Sequence, residues 1–131
     1  MFLKELTPEE KEAFIGLCVH AASANSIVED TEFEMIEDYC KEMGITFFNV
    51  NKAVDIEKAI NLLSNSETRH KKIVFNGILG LLNADGSYDQ NEKDFIYDLA
   101  YKIGLTEHEV MVQSDLMERY LRIVREISNT L

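Results

Sequence analysis

Residues 84–110 read ADGSYDQNEKDFIYDLAYKIGLTEHEV, and residues 24–50 read ANSIVEDTEFEMIEDYCKEMGITFFNV. Aligned at an offset of 60 positions, these two stretches of 27 residues share seven identities. The identities fall where helices begin, end or pack, and they are Ala24 with Ala84, Glu32 with Glu92, Ile36 with Ile96, Asp38 with Asp98, Gly44 with Gly104, Thr46 with Thr106, and Val50 with Val110. The pattern predicts a duplicated unit of helix, acidic loop, helix, glycine stop and capped next helix.

The duplication and the size of the chain together predict the fold class. Each copy of the unit has an apolar stripe that it cannot bury alone, so we expect the two copies, about residues 10–50 and 70–110, to pack face to face. The chain has 131 residues, 46% of them apolar, which is the size and balance of one domain over residues 1–131. We therefore expect an all-α bundle of six or seven helices built from two pseudo-symmetric halves.

Capping signals give the helix boundaries. Thr7 and Glu10 have the spacing of a capping box and predict a first helix from about Pro8 to Ser23. A second helix should begin at Glu29 or Asp30 and stop at Gly44. The middle of the chain predicts a short helical turn over Thr46–Val54, a helix over Ile56–Leu63 capped by Asp55, and a longer helix through Leu82 capped by Ser66.

Charge and cysteine content limit the classes of function. The net charge is −11, so the molecule repels a phosphate backbone and nucleic acid is not an expected partner. The first residues are too charged for a signal peptide, and no stretch approaches the apolar length of a membrane span. We therefore expect a cytoplasmic protein without a transmembrane segment. Cys18 and Cys40 lie in apolar helical patterns, which predicts two reduced, buried thiols.

The loop of the second copy is dense in oxygen ligands. In a window from Leu81 to Glu92, a glycine, an apolar residue and a glutamate fill the sixth, eighth and twelfth positions of an EF-hand loop. Leu81, however, stands where that loop requires its first aspartate. The remaining candidate ligands for an incomplete calcium or magnesium site are Asn83, Asp85, the Ser87 carbonyl, Asp89 and Glu92.

A purely structural interpretation of the same loop stays open. Asp89 and Glu92 have the spacing of a capping box, and Asp85-Gly86 is an ordinary turn. Both features occur in helical proteins that bind no metal.

The same residues resemble a known family. The residues that carry the resemblance are Ala84-Asp85-Gly86, Asp89, Glu92, Phe95, Leu99, Gly104-Leu105 and Thr106-Glu107-His108-Glu109. Together they look like the second half of a TerB-like domain, the helical module of tellurite-resistance proteins that also begins a membrane-anchored DnaJ co-chaperone. The resemblance covers nearly the whole chain, and it implies two pseudo-symmetric halves whose acidic loops meet and share a divalent cation.

The resemblance also implies a set of cation ligands. Carried over position by position, it assigns Asp85, Asp89 and Glu92 in the second half and Asn25, Glu29 and Glu32 in the first. Asn25-Ser26 replaces the Asp-Gly pair of the family, which lowers the negative charge of the first loop. Any cation should therefore favour the second loop.

Other polar residues have both a functional and a structural interpretation. His20 either points toward the first acidic loop or is a partly buried packing residue, and His108 is expected to be solvated. The basic cluster 69–72 either holds an acidic partner or phosphate, or is a solvated face paired with nearby carboxylates. On the last helix Arg119, Arg122 and Arg125 form a basic strip along Met117, Leu121 and Val124. This strip either receives an acidic helix of a partner or second subunit, or its stems cover the edge of the core.

These observations favour a non-enzymatic cytoplasmic binding module that holds a divalent cation and engages partner proteins. The resemblance adds a stress or envelope-associated pathway. Two alternatives remain open, a metal-free protein-interaction or co-chaperone-like module and a small metal-dependent hydrolase. No signature of acyl, phosphoryl, hydride or zinc-peptidase chemistry occurs in the sequence, so we do not expect an enzyme. A homodimer is a further option.

Overall fold

Every element of regular structure that the computed structural model describes is helical. The description covers residues 1–23, 30–46, 55–84 and 90–131. A short 3₁₀ helix over Leu3–Glu5 precedes α1 (Pro8–Ala22), α2 (Asp30–Met43), α3 (Ile56–Ser64), α4 (Thr68–Leu82), α5 (Gln90–Lys102) and α6 (Glu107–Asn129). Within those ranges there is no strand, which confirms the predicted all-α class. A seventh helix and the pseudo-symmetry of the halves stay predictions.

Reciprocal capping boxes lie at the starts of α1 and α6, the first and last α-helices of the bundle. The Thr7 hydroxyl accepts from the Glu10 amide at 3.2 Å, and the Glu10 carboxylate accepts from the Thr7 amide at 2.8 Å. Thr106 and Glu109 repeat the arrangement at the start of α6, at 3.1 and 2.9 Å. Each box satisfies amides that would otherwise lack a partner in the first turn. The prediction of a cap at Thr7 is confirmed.

Two glycines in left-handed conformation end α2 and α5. Gly44 has φ of 76° and Gly104 has φ of 98°, values that a residue with a Cβ adopts only at a cost. After each glycine the chain turns back, so that the Ile45 amide donates to the Cys40 carbonyl at 2.8 Å and the Leu105 amide donates to the Ala100 carbonyl at 3.0 Å. The two stops are equivalent in the repeat alignment, and the predicted stop at Gly44 is confirmed.

One of the two middle caps is as predicted and the other is wrong. Asp55 accepts from the Lys58 amide at 3.0 Å and begins α3. Ser66 does not cap α4, because its hydroxyl donates back to the Leu62 carbonyl at 3.4 Å and Glu67 occupies the N-cap position. The turn predicted over Thr46–Val54 lies outside the described residues from position 47 onward.

The core lies between α1 and α4, which pack against each other and against most of the other helices. Phe14, Leu17, Phe75 and Ile78 are among its fully buried side chains. The two cysteines are unpaired and buried, as predicted, and burial raises the pKa of both thiols. They therefore act as core residues.

The last helix leaves the bundle partway along its length. Val110 and Met117 on α6 are buried and Leu121 is half-buried, but every residue over 122–131 is exposed. None of the described helices is long and apolar enough to cross a membrane. This exposed end, residues 122–131, is therefore an arm that gains little stability from packing against the bundle.

Candidate functional site

Most of the predicted cation ligands lie outside the described residues. These are Asn25, Glu29, Asp85, Asp89 and the Ser87 carbonyl. Three remain within the description. Glu32 lies in the first turn of α2 with 8% of its surface exposed, and Glu92 lies, half-buried, in the first turn of α5.

Asn83, the third of these residues, has a structural role. It is the C-cap of α4, and its side-chain amide donates to the Leu79 carbonyl at 2.8 Å. Among the residues with described coordinates, no group of three or more His, Cys, Asp or Glu side chains comes close enough together to hold a metal ion. The two loops that would complete the predicted site are not part of that search, so the cation site stays a prediction.

His20 differs from the expectation of a partly buried packing residue. Its side chain is exposed, although its ring lies 5.5 Å from the ring of Phe95 on α5. The two rings are tilted by 44° to each other. His108 is exposed, as predicted.

Three members of the basic cluster 69–72, which are Arg69, His70 and Lys72, are paired with carboxylates, as the structural interpretation predicts. Arg69 donates to both carboxylate oxygens of Glu5, at 2.7 Å each, and Lys72 lies 3.5 Å from Glu109. The hydrogen bond from Arg69 lowers the pKa of the Glu5 carboxyl. These contacts fasten the N-terminal segment and α6 to α4.

His70 is not solvated, and its ring joins two carboxylates. Its Nδ1 lies 2.7 Å from Glu10 Oε1 and its Nε2 lies 3.1 Å from Glu67 Oε1. Glu10 is buried. Burial raises the pKa of Glu10, but the polar groups of Ser66, the Thr7 backbone and His70 outweigh burial and hold this pKa below its ordinary value. The cluster therefore has a structural role, tying the cap of α1 to α4.

A large apolar groove lies between α2, α4 and α6, and the sequence did not reveal it. Its volume is about 1030 Å³. Its floor is formed by Met35 and Tyr39 of α2, Gly77 and Gly80 of α4, and Met117 of α6. Methionine side chains are flexible and polarisable, so this floor can adapt to the shape of an occupant.

The two glycines of α4 let side chains of neighbouring helices pack closely against this helix. A Cβ on Gly77 would lie 2.6 Å from Phe14 Cζ, and a Cβ on Gly80 would lie 3.2 Å from Tyr39 Oη. The Tyr39 hydroxyl donates to the Gly77 carbonyl at 2.7 Å, and burial raises the pKa of this phenol. Two glycines three positions apart in a helix were the one signal in the sequence that could have indicated close packing here.

The rim of the groove is acidic on its α2 side. Glu34 and Asp38 both line the groove and are exposed. On the α4 side Arg69 and Lys72 also line the groove, but each of them is already paired with a carboxylate. The unneutralised charge that an occupant meets is therefore negative.

The arginine strip of α6 agrees only in part with the interpretation that its stems cover the edge of the core, and its role as a partner-binding surface stays a prediction. Arg119 lies 3.7 Å from Asp115 and Arg122 lies 3.6 Å from Glu118, which are pairs within the helix. The idea that the stems cover the edge of the core is wrong for the end of the helix, because Val124 is itself exposed. The arm therefore presents apolar as well as charged side chains to solvent.

Comparisons with protein-family models, with curated proteins and with solved structures find no match to this chain. The TerB-like resemblance of residues 84–110 therefore stays a prediction. The groove between α2, α4 and α6 is the feature of the described residues with the clearest capacity to bind another molecule.

Proposed function

We propose that this chain is a non-enzymatic binding module that receives a basic amphipathic helix of a partner protein in the groove between α2, α4 and α6. The observation that carries this proposal is the combination of an apolar floor with an acidic rim. Helix-in-groove recognition uses both, since the apolar face of the bound helix supplies affinity and charges at the rim set its orientation.

The size of the groove is sufficient for the side chains of a bound helix. At about 1030 Å³ it is at the upper end of the range for small-molecule sites, which are about 300–1,000 Å³. Its methionines allow the floor to adjust to the side chains of the occupant.

The charge of the molecule supports a basic partner. Glu34 and Asp38 have no ion pair among the described residues, and the whole chain has a net charge of −11. A positively charged helix is attracted by both the local rim and the overall field, whereas an acidic helix is repelled.

A site-specific photo-crosslinking experiment tests the proposal. The crosslinking residue p-benzoylphenylalanine replaces Glu34, which lines the groove, or Glu37, which is exposed on the same helix and does not line it. After irradiation of cells that express the full chain, we expect adducts from position 34 and not from position 37. The crosslinked segment should have the sequence pattern of a basic amphipathic helix.

The charge of the rim gives a further control in the same experiment. Asp38→Lys in the variant that carries the crosslinker at position 34 should lower the adduct yield several-fold, and Asp38→Asn should lower it less. Equal adducts from positions 34 and 37, or no adduct from position 34, would show that the groove is not the docking site.

Cation binding is a second candidate function, supported by the position of Glu32. Glu32 is buried as a residue, with 8% of its surface exposed, in the first turn of α2, and a buried acidic residue there suits either a ligand or a cap. Calorimetric titration with Ca²⁺ and Mg²⁺ distinguishes the two roles. Neither heat nor thermal stabilisation at millimolar cation would favour the metal-free module.

The TerB-like resemblance supports a stress or envelope-associated pathway for both candidates, and a cytoplasmic location stays part of the proposal. This part of the proposal rests on the residues quoted from 84–110 and not on the groove. Its test is the identity of the protein crosslinked at position 34.

A further inference from the structure

The second half of α6 has an exposed apolar stripe that begins at the edge of the groove, which Leu116 and Tyr120 line, and continues beyond it. Leu116, Tyr120, Ile123 and Ile127 are 47%, 49%, 53% and 56% exposed. At 100° per residue these four side chains fall within about 60° of one another around the helix. The face that α6 turns toward the bundle carries Val110 and Met117 instead. About half of the surface of each of the four stripe side chains is therefore left uncovered by the bundle.

The spacing of the stripe is that of a coiled-coil seam. Successive members are separated by four, three and four positions, which is the alternation of a and d sites in a heptad. An antiparallel register sets Leu116 opposite Ile127 of the second copy and Tyr120 opposite Ile123 of the second copy. All four side chains then meet a partner at once, and a two-fold axis relates the two helices.

Flanking charges favour this register. Arg119 and Glu126 lie on the same flank of the stripe, seven residues apart. Antiparallel pairing brings Arg119 of each copy beside Glu126 of the other, whereas parallel pairing brings the same two residues beside the apolar Val124 and Leu131 of the other copy. Glu126 has no ion pair among the described residues, and the exposed Arg119–Asp115 contact at 3.7 Å is weak enough to give way.

The overall charge of the chain does not oppose contact along this helix. Residues 111–131 contain three arginines and three acidic side chains, so this segment, which includes the whole stripe, is neutral in a chain of net charge −11. Two strongly acidic molecules therefore meet with least repulsion along α6.

The area is sufficient for a stable dimer. The exposed parts of the stripe and its flanking residues amount to on the order of 600 Å² per copy, taking roughly 200 Å² for each large side chain. Two copies together clear the roughly 1,000 Å² expected of a specific interface. A helical arm of about ten unsupported residues is also marginal alone and gains from such packing.

We propose that two copies of this chain associate through antiparallel pairing of their α6 helices along Leu116, Tyr120, Ile123 and Ile127. This dimer goes beyond the proposed function and leaves the α2 and α4 walls of the groove, with Glu34 and Asp38, outside the contact.

Sedimentation equilibrium of the full chain, with charge-reversal variants, tests the dimer and its register. The wild type should be dimeric at tens of micromolar. Arg119→Glu and Glu126→Arg should each raise the dissociation constant at least tenfold, because each places like charges together twice. The double variant Arg119→Glu/Glu126→Arg should restore dimerisation. Arg122→Glu is the matched control, because it breaks an equivalent pair with Glu118 away from the stripe and should change little.

Three outcomes would overturn the inference. These are a wild type that stays monomeric at 500 µM, single variants that dimerise like the wild type, and a double variant as weak as the singles. All the substituted residues are exposed, so unchanged circular dichroism should accompany every variant. A monomer that still gives adducts from position 34 would leave the proposed function intact while removing the dimer.

Discussion

Replacing Gly77 with alanine sets two effects of opposite sign against each other. Gly77 lies inside α4, where alanine is favoured over glycine by about 1 kcal/mol of helix propensity. The new Cβ, however, would lie 2.6 Å from Phe14 Cζ and 2.7 Å from Phe14 Cε1. Phe14 is fully buried and its ring packs against Tyr39 at 5.5 Å, so the ring has little room to move away.

The clash should outweigh the propensity. Overpacking a well-filled core costs about 1–3 kcal/mol, and contacts this short belong at the upper end of that range. We therefore expect Gly77→Ala to lower the free energy of unfolding by a net ~1–2 kcal/mol, or the melting temperature by roughly 4–8 °C. Gly80→Ala is the matched control. Its nearest neighbours are the Tyr39 hydroxyl at 3.2 Å and the mobile ends of two methionines, so its net effect should be near zero.

A double-mutant cycle identifies the clash as the cause. Phe14→Leu removes the two ring atoms that the new Cβ meets, so it should destabilise the Gly77→Ala background less than it destabilises the wild type. We expect a coupling of at least about 1 kcal/mol by urea denaturation with a shared m-value. The packing argument is refuted if the single variant Gly77→Ala is as stable as the wild type. It is also refuted if the effects of Gly77→Ala and Phe14→Leu on the free energy of unfolding are strictly additive.

Two further predictions concern the acidic side chains. The double variant Asp85→Asn/Glu92→Gln should weaken any Ca²⁺ or Mg²⁺ binding at least tenfold, ~1.4 kcal/mol, in calorimetric titration. If cation binding is unchanged and Asp89→Ala lowers the free energy of unfolding by ~1 kcal/mol, the loop is only a helix cap. The lowered pKa of Glu10 means that its contribution to stability is complete above the ordinary pKa of 4.5 and is lost as pH falls through the lower folded-state value. Glu10→Gln should therefore be less stable than the wild type by about 1–2 kcal/mol at pH 7. The gap should narrow in denaturation series taken from pH 5 toward pH 2, and a constant gap would contradict the assignment.

The parts of the fold that the sequence predicted depend on a few neighbouring residues. The cap at Thr7, the cap at Asp55 and the stop at Gly44 are decided within one helical turn, and all three are as predicted. Ser66 shows the limit of such local rules. The capping rule places the N-cap of α4 at Ser66, but Glu67 occupies that position. The Ser66 hydroxyl donates instead to the Leu62 carbonyl of the preceding helix.

The groove and the ion pairs could not be predicted because they join residues far apart in the chain. Glu10 and His70 are 60 positions apart, and only the packing of α1 against α4 brings them to 2.7 Å. The groove likewise needs three helices in their final places. The predicted cation ligands depend on loops at 24–29 and 85–89, outside the described residues, so the structure tests neither loop.

Helix α6 has two roles that its folding requirements alone do not explain. Burial of Val110 and Met117 fastens its first half to the bundle, and that half also forms one wall of the groove. Stability of the bundle would be served by a helix that ended near Leu121, since no later residue is buried. The chain instead continues with isoleucines at 123 and 127, whose exposure disfavours solubility unless another surface covers them. Because residues 111–131 are charge-balanced within an acidic chain, the surface best suited to cover the exposed isoleucines is the same part of α6 in a second copy.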